Sequence, residues 1–420
     1  MNDPRPVLMM GWNQHWLTAL DDLLPAASVV VVEEPDVYEG KRIAARWSGH
    51  PVVKDVVFAE YQQSDQFLDV VARQVVARES VRCVLPALEY SVEAAAKAAE
   101  MLGLPGAGVA AAQVFRDKIA QVTICQDVGI AVPRFAEVAD VADVAAFMGV
   151  RPIVVKPANR QASLGVVIVY PGDDPELAWN ECTNADEGPQ LAQRELRWRY
   201  LAEEFVSGPE YSVEALVTDG KVVFSNVTRK RVKTGRYPVE AGHVVPAPPG
   251  PGVAGLPALM QKLASAVGFG TGLLHGEWII RNETPVFVEC AARPAGDWIF
   301  DLIDLVTGVN LYDASVRALS GEDPLAGRRT SGRAPVAAVM FGFPDEPGTV
   351  TSVSGVEAAS TAPGVVRVPH APAPGDEIRS LGSSWGRLGA VIATGQDWGG
   401  AEAAAAGGLD QILVTMRPYQ

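Results

Sequence analysis

Residues 275–296 read HGEWIIRNETPVFVECAARPAG. β-Branched and aromatic residues flank a polar turn at Asn282, Glu283 and Thr284, which predicts a hairpin of two short strands. With those three residues as the loop, Arg281 faces Pro285, Ile279 faces Phe287 and Glu277 faces Glu289. Like charges directly opposite each other destabilise a strand pair. The pairing therefore implies a compensating cation, and hard Mg2+ suits carboxylate oxygens while sharing its shell with phosphates. The competing reading is two solvated glutamates on an exposed sheet, and a one-residue slip would put them on opposite faces.

Working outward, a chain of 420 residues predicts two to four domains. Hydrophobic residues make up 48% and charged residues 20%, the balance of a globular protein. The first residues show no basic region followed by an apolar core, so no signal peptide is expected, and no apolar run is long enough to span a bilayer. The four cysteines, Cys83, Cys125, Cys182 and Cys290, are scattered and form neither a zinc spacing nor a disulfide framework. A reducing, cytoplasmic setting follows. The net charge of −15 argues against nucleic acid or an anionic membrane as partner. TRKRVKTGR, 228–236, runs against that average: it reads as a solvated surface loop, or as a loop that closes over an anionic ligand.

Strand and helix alternate from residue 1 to about 112, as in a parallel sheet covered by helices. Strands are expected at Val7–Met10, Ser28–Val32 and Val81–Pro86, and helices at Gln14–Leu24, 64–79 and 91–102. No G-x-G-x-x-G follows the first strand. Glu89 stands just past the third strand, where it reads as a helix cap or a ligand-binding residue. LGLPGAG, 102–108, connects to a helix over Val114–Asp127 that carries Lys118. IVVK, ending at Lys156, and GVVIVY are strands around the polar loop ANRQAS, 158–163. A lysine at a strand end facing a small-residue loop suits phosphate, although by itself it reads as a lysine snorkelling from the strand end. Helical stretches are expected around 175–198. Strands Tyr200–Val206 and Tyr211–Val217, an Asp219-Gly220 turn and a strand from Lys221 follow, studded with Glu203, Glu204, Glu210 and Glu214. In PVEAGHVVPAP, 238–248, Glu240 and His243 lie close enough in sequence to act as a pair. The link 327–333 precedes a last unit, 334–420.

FRDK ending at Lys118, IVVKP, the Ser163-x-Gly165-Val166 loop end, AEEFVSGPEYSVE and HGEW…VECAARPAG occur in that order. Together they resemble the ATP-grasp superfamily of carboxylate–amine ligases. Within it, PVEAGHVVP and the small residues of ECAARP resemble the bacilysin-type L-amino-acid ligases. The resemblance covers essentially the whole chain and implies an α/β, ATP-grasp fold. Its parts would be an N-terminal α/β domain (1–112), a small subdomain (113–199), a large subdomain (200–326) and a C-terminal domain (333–420). It implies that Lys118, Lys156 and Ser163 contact the nucleotide phosphates, that Glu203, Glu204, Phe205 and Val206 form the hinge at the adenine, and that Glu210 holds the ribose. Glu277 and Glu289 would carry Mg2+, two ions, with Mn2+ able to substitute. Arg293 would bind the substrate carboxylate or acyl phosphate, while Glu240, His243 and Gly296, with Glu89, would shape the substrate pocket. Ala291 stands where many members have a metal-binding Asn, and ANRQAS lacks the usual glycines.

The activity so implied is ATP-dependent ligation of an amino acid to a second amino acid through an acyl phosphate, in specialised-metabolite biosynthesis, by a cytoplasmic homodimer. Other acids or amines, or a non-catalytic nucleotide-binding regulator, are the alternatives. GSSWG, 382–386, spells a nucleophile elbow, but no histidine follows His370. His275-x-Glu277 lacks the Pro-Cys-x-x-Cys of a zinc deaminase, and no P-loop spelling occurs.

Overall fold

The computed structural model describes residues 3–233, 235–329, 331–382 and 384–419. Thr234 of the basic stretch, Thr330 of the 327–333 link and Ser383 of the elbow spelling lie outside the described residues.

Four apolar runs form the first sheet. Val53–Phe58, Val29–Glu33, Val7–Met10 and Cys83–Pro86 lie side by side in that order, all parallel. The expected strands are present, and Val53–Phe58 joins them. Its exposed Lys54 and Phe58 hide it from an apolar-run reading, as suits a sheet edge. The helix expected over 64–79 is the shorter Phe67–Val71, continued by a π-type turn at Ala72–Val76.

The helix expected over Val114–Asp127 is interrupted. Val109–Phe115 ends, and Asp117 begins a new helix by accepting from the amides of Ile119 and Ala120 at 2.9 and 3.3 Å. Lys118 thus opens the helix Lys118–Asp127 instead of lying inside a longer one. The second sheet orders Phe135–Val138, Tyr200–Glu204, Ile153–Pro157 and Val167–Val169, all antiparallel. Tyr200–Glu204, which the sequence assigns to the 200–326 unit, is therefore an inner strand of the smaller sheet. Around 175–198 only Pro175–Thr183 is an α-helix. The rest docks on the N-terminal unit, where Arg194 forks onto the fully buried Glu34 at 2.7 and 2.8 Å.

The third sheet has eight strands. In order they are Thr284–Ala291, Gly272–Arg281, Glu210–Thr218, Lys221–Val232, Glu240–Val245, Val336–Gly342, Gly389–Gly395 and Val365–His370. It does not stop at the 327–333 link, because Val336–Gly342 pairs with Glu240–Val245. The C-terminal unit and the preceding one share this sheet. Along Glu210–Thr218, Val213, Ala215 and Val217 pack with Met260, Leu263 and Trp278, while Leu216 on the other face joins Trp16, Leu273 and Ile303. Glu210, Ser212 and Glu214 share the face of Leu216. A small sheet of Glu377–Ile378, Gly348–Ser354 and Leu413–Pro418 completes the fold. Among the described residues no helix is long and apolar enough to cross a membrane.

Of the basic stretch, only Lys233, Gly235 and Arg236 are loop among the described residues. Its first five residues belong to Lys221–Val232, and strand alternation buries Asn226, Thr228 and Lys230 while Arg231 points outward to Glu402 at 2.5 Å.

Candidate active site

The hairpin at 275–296 forms, with a different turn from the one expected. Asn282 and Glu283 alone make the loop, both left-handed with φ of 47° and 68°, the primed turn that matches strand twist. Arg281 then faces Thr284, Ile279 faces Val286 and Trp278 faces Phe287. A bulge follows, with Val288 as the extra residue, and it restores Glu277 opposite Glu289. Two departures from the expected register cancel at the pair that matters.

These carboxylates open onto a cleft of about 930 Å³ between the smaller sheet and the eight-stranded sheet. Lys118, Lys156, Ser163, Glu203, Glu204, Phe205, Val206, Glu210, Glu240, Glu277 and Glu289 all line it. Two ammonium groups lie against these carboxylates. Lys118 Nζ lies 3.3 Å from Glu289, and Lys230 Nζ lies 2.7 Å from Glu277, 3.3 Å from Glu240 and 3.9 Å from Glu210. Burial opposes the charge on Glu277, yet Lys230 and His275 outweigh it and hold the carboxyl well below its ordinary range. For Glu210 burial dominates, and with the neighbouring carboxylates it pushes the group up to about 7 despite Lys230. Hard oxygen donors on facing strands fit a divalent ion that completes its shell with phosphate oxygens. Among the described residues no group of three or more His, Cys, Asp or Glu forms a self-sufficient metal site.

Behind Glu277 runs a buried chain. His275 Nε2 lies 3.2 Å from Glu277, and its Nδ1 lies 3.1 Å from Glu214, which is fully buried. Ser212 and Thr228 each donate to Glu214 at 2.6 Å, and Asn226 donates at 3.0 Å. Burial disfavours the imidazolium, but its bonds to the two glutamates raise His275 to about 9.

Lys156 stands one residue before the end of the strand Ile153–Pro157 and pairs with Glu203 at 2.7 Å, both side chains almost fully buried. The hinge amides of Glu204 and Phe205 donate to Arg134 and Pro152 carbonyls at 2.8 and 3.1 Å. The glycine-poor loop turns by placing Ala162 and Ser163 in the left-handed region, with φ of 58° and 56°.

Four expected residues stand outside the cleft lining. Arg293 Nε meets Glu89 at 2.6 Å, and Arg116 grips the other oxygen of Glu89. Burial disfavours that carboxylate, but the two arginines bring it down to about 2. Glu89 caps no helix, because the cap hydrogen bonds there belong to Ser91. His243 does not pair with Glu240; its Nε2 meets Asp297 at 2.9 Å. Gly296 immediately precedes Asp297. Sequence reasoning missed Lys230, Arg116, Asp297 and Arg387. For Lys230, the alternation begun at Lys221 was the available signal; the other three are brought in by tertiary packing.

Residues 150–301 match the family model for an ATP-grasp domain, and residues 340–417 match that for L-amino acid ligase C-terminal domain 2. An uncharacterized protein, y4rH, of Sinorhizobium fredii is 25% identical over 87% of this chain and 72% of its own length. A D-alanine--D-alanine ligase of Pseudomonas putida is 29% identical over 28% of this chain, and the match spans only 35% of that relative. The crystal structure of an L-amino acid ligase from Bacillus licheniformis superposes with a TM-score of 0.80 at 22% identity, covering 99% of this chain and 100% of that one. The fold is ATP-grasp, and the chain resembles the L-amino acid ligases in the parts that these comparisons match.

Proposed function

We propose that this ATP-grasp protein is an ATP-dependent ligase that joins one amino acid, through its carboxylate, to the amine of a second. The observation that carries the reading is the facing pair Glu277 and Glu289, set in one cleft with Lys118 and Lys156. A carboxylate is a poor electrophile and needs activation. Its oxygen attacks the γ-phosphorus of ATP, the bond to the bridging oxygen breaks, and ADP leaves an acyl phosphate. The amine then attacks the acyl carbon, inorganic phosphate departs, and the amine loses a proton.

Positioning and charge neutralisation do most of this work. Lys118, Lys156 and the Ser163 loop meet the phosphates, and Glu210 takes the ribose. Glu203 to Val206 cradle the base, with Val206 the first hinge amide beyond those spent on Arg134 and Pro152. Lys230 trades its carboxylates for the transferred phosphoryl group. Glu277 and Glu289 would hold Mg2+, two ions, or Mn2+ in its place, and bound there the metal neutralises phosphoryl oxygens. Arg293 meets the substrate carboxylate, while Glu240, His243, Gly296 and Glu89 shape the amino-acid end. A cytoplasmic homodimer serving specialised-metabolite biosynthesis is the finer expectation drawn from the resemblance.

The test is phosphate release from ATP and Mg2+ across single and paired amino acids, with and without hydroxylamine. Release that needs two amino acids, with a hydroxamate when hydroxylamine replaces one, is the expected outcome. Silence across the matrix with ATP still bound overturns the amino-acid reading.

A further inference from the structure

A buried charge network ties the C-terminal unit to Glu240 and Asp297. Arg387 lies in the turn between Ser384–Gly386 and the strand Gly389–Gly395 of the C-terminal unit, and it is 9% exposed. Nη1 and Nη2 donate to the two oxygens of Asp297 at 2.5 and 3.0 Å. Nη2 also meets Glu240 Oε2 at 3.3 Å, and Nε donates to the Glu240 backbone carbonyl at 3.2 Å. The guanidinium carbon lies 3.8 Å from the centre of the Phe341 ring. Sheet register makes this reach possible: Gly242 faces Met340, and Phe341 faces Ala390.

Asp297 is an unusual partner. It and Trp298 are both left-handed, with φ of 59° and 58°, a region that Asp tolerates and Trp rarely adopts. Such a pair persists only where the surroundings over-determine it. His243 supplies that constraint from the strand Glu240–Val245, and Arg387 from the turn before Gly389–Gly395. His243 is 2% exposed, and its Nδ1 has no hydrogen-bond partner among the described residues.

Glu240 is divided between two environments. Oε2 accepts from Arg387 and from Ser384 at 3.1 Å, while Oε1 lies 3.3 Å from Lys230 in the cleft. Oε2 is thus anchored by the C-terminal unit, while Oε1 faces the ammonium of Lys230.

We propose that Arg387 is a positioning residue for the substrate end of the cleft. By bridging Asp297 and Glu240 it aims Glu240 Oε1 at the ammonium group of the amine substrate, and so sets the affinity for that substrate. The proposal rests on the ligase reading. It gives the C-terminal unit a part in recognition, and a planar fork is required because a lysine ammonium cannot satisfy both carboxylates and stack on Phe341.

Steady-state kinetics of the full chain test it, with Arg387→Lys and Arg387→Met. The KM for the amine substrate is expected to rise about tenfold in the first and about a hundredfold in the second, while the KM for ATP holds within about twofold. Adding Asp297→Asn to Arg387→Met should raise the amine KM no further, because both act through one network. Unchanged kinetics, a fall in kcat alone, or parallel rises in both KM values overturns the proposal. Should the Met variant fail to fold, Arg387→Lys and Asp297→Asn carry the same comparison, with circular dichroism to establish their fold. A wild-type chain silent with every amino-acid pair overturns the ligase reading and the proposal together. Wild-type turnover that Arg387→Lys leaves intact overturns the proposal alone.

Discussion

Glu277 and Glu289 come from neighbouring strands of one hairpin, and strand register sets them face to face. Glu89, Arg116 and Arg293 come from three separate elements and meet only because the N-terminal unit packs against the rest. The two clusters also differ in balance. In the cleft the four carboxylates Glu210, Glu240, Glu277 and Glu289 share two lysines, Lys118 and Lys230. At Glu89 one carboxylate sits between two guanidiniums. The first has a surplus of negative charge suited to a divalent cation, and the second a surplus of positive charge suited to a substrate carboxylate. An acidic site and a basic site are what the proposed transfer of a phosphoryl group from metal-bound ATP to a carboxylate would use.

The sharpest way to break that contrast is Glu289→Gln. It keeps the shape of the hairpin and removes one charge from the surplus. Turnover is expected to fall about a thousandfold, and the thermal midpoint should stay close to wild type, since Glu289 is about one-third exposed. Phosphate release and a melting curve on the same sample check it. Ligation that survives the substitution sinks the metal role while leaving the fold untouched.

The basic cluster should reveal itself in acid instead. Glu89 is nearly fully buried, and its carboxyl is drawn down from 4.5 to about 2 by Arg116 and Arg293. A depressed folded-state pKa gives stability that is present above the unfolded value and lost as pH falls through the folded one. The window is therefore pH 4.5 down to about 2. Glu89 should contribute about 3 kcal/mol at neutral pH that disappears across it. Denaturant unfolding at stepped pH, for wild type and Glu89→Gln, reads this directly. The variant should be less stable at pH 7 and converge on wild type near pH 2. Parallel pH profiles would mean that the two arginines do not hold this carboxylate.

How much of this could be read from the sequence follows the same division. Strand-borne features were legible because alternation and turn chemistry are local: the Glu277–Glu289 pairing, Lys156 at its strand end, the parallel first sheet. Reading failed where a local signal was outvoted. Lys230 sits in a charge run, and charge runs are usually solvated, yet the strand from Lys221 continues straight through it. Asp117 looked like a helix interior residue until its cap hydrogen bonds showed a new helix starting there. Glu240 and His243 looked like a pair, but they do not bond to each other: Glu240 accepts from Arg387 and His243 meets Asp297. Arg387 and Asp297 stand 90 positions apart, and neither belongs to a pattern that spacing alone would flag.

The smallest effect tests how the legible cluster is built. Glu283 occupies the second position of the two-residue turn with φ of 68°, a conformation that glycine adopts without penalty and glutamate does not. Its side chain is exposed, so Glu283→Gly removes strain without removing a buried contact. A gain of about 0.5–1 kcal/mol in unfolding free energy is expected, partly offset by the greater freedom of glycine in the unfolded chain. A three-residue loop over Asn282–Thr284 would not reward glycine at this position in the same way. Destabilisation on that substitution would therefore argue for the longer loop. It would also remove the need for the Val288 bulge, since the longer loop alone already sets Glu277 against Glu289. A measurement at the far end of the hairpin thus reports on how Glu277 and Glu289 come to face each other.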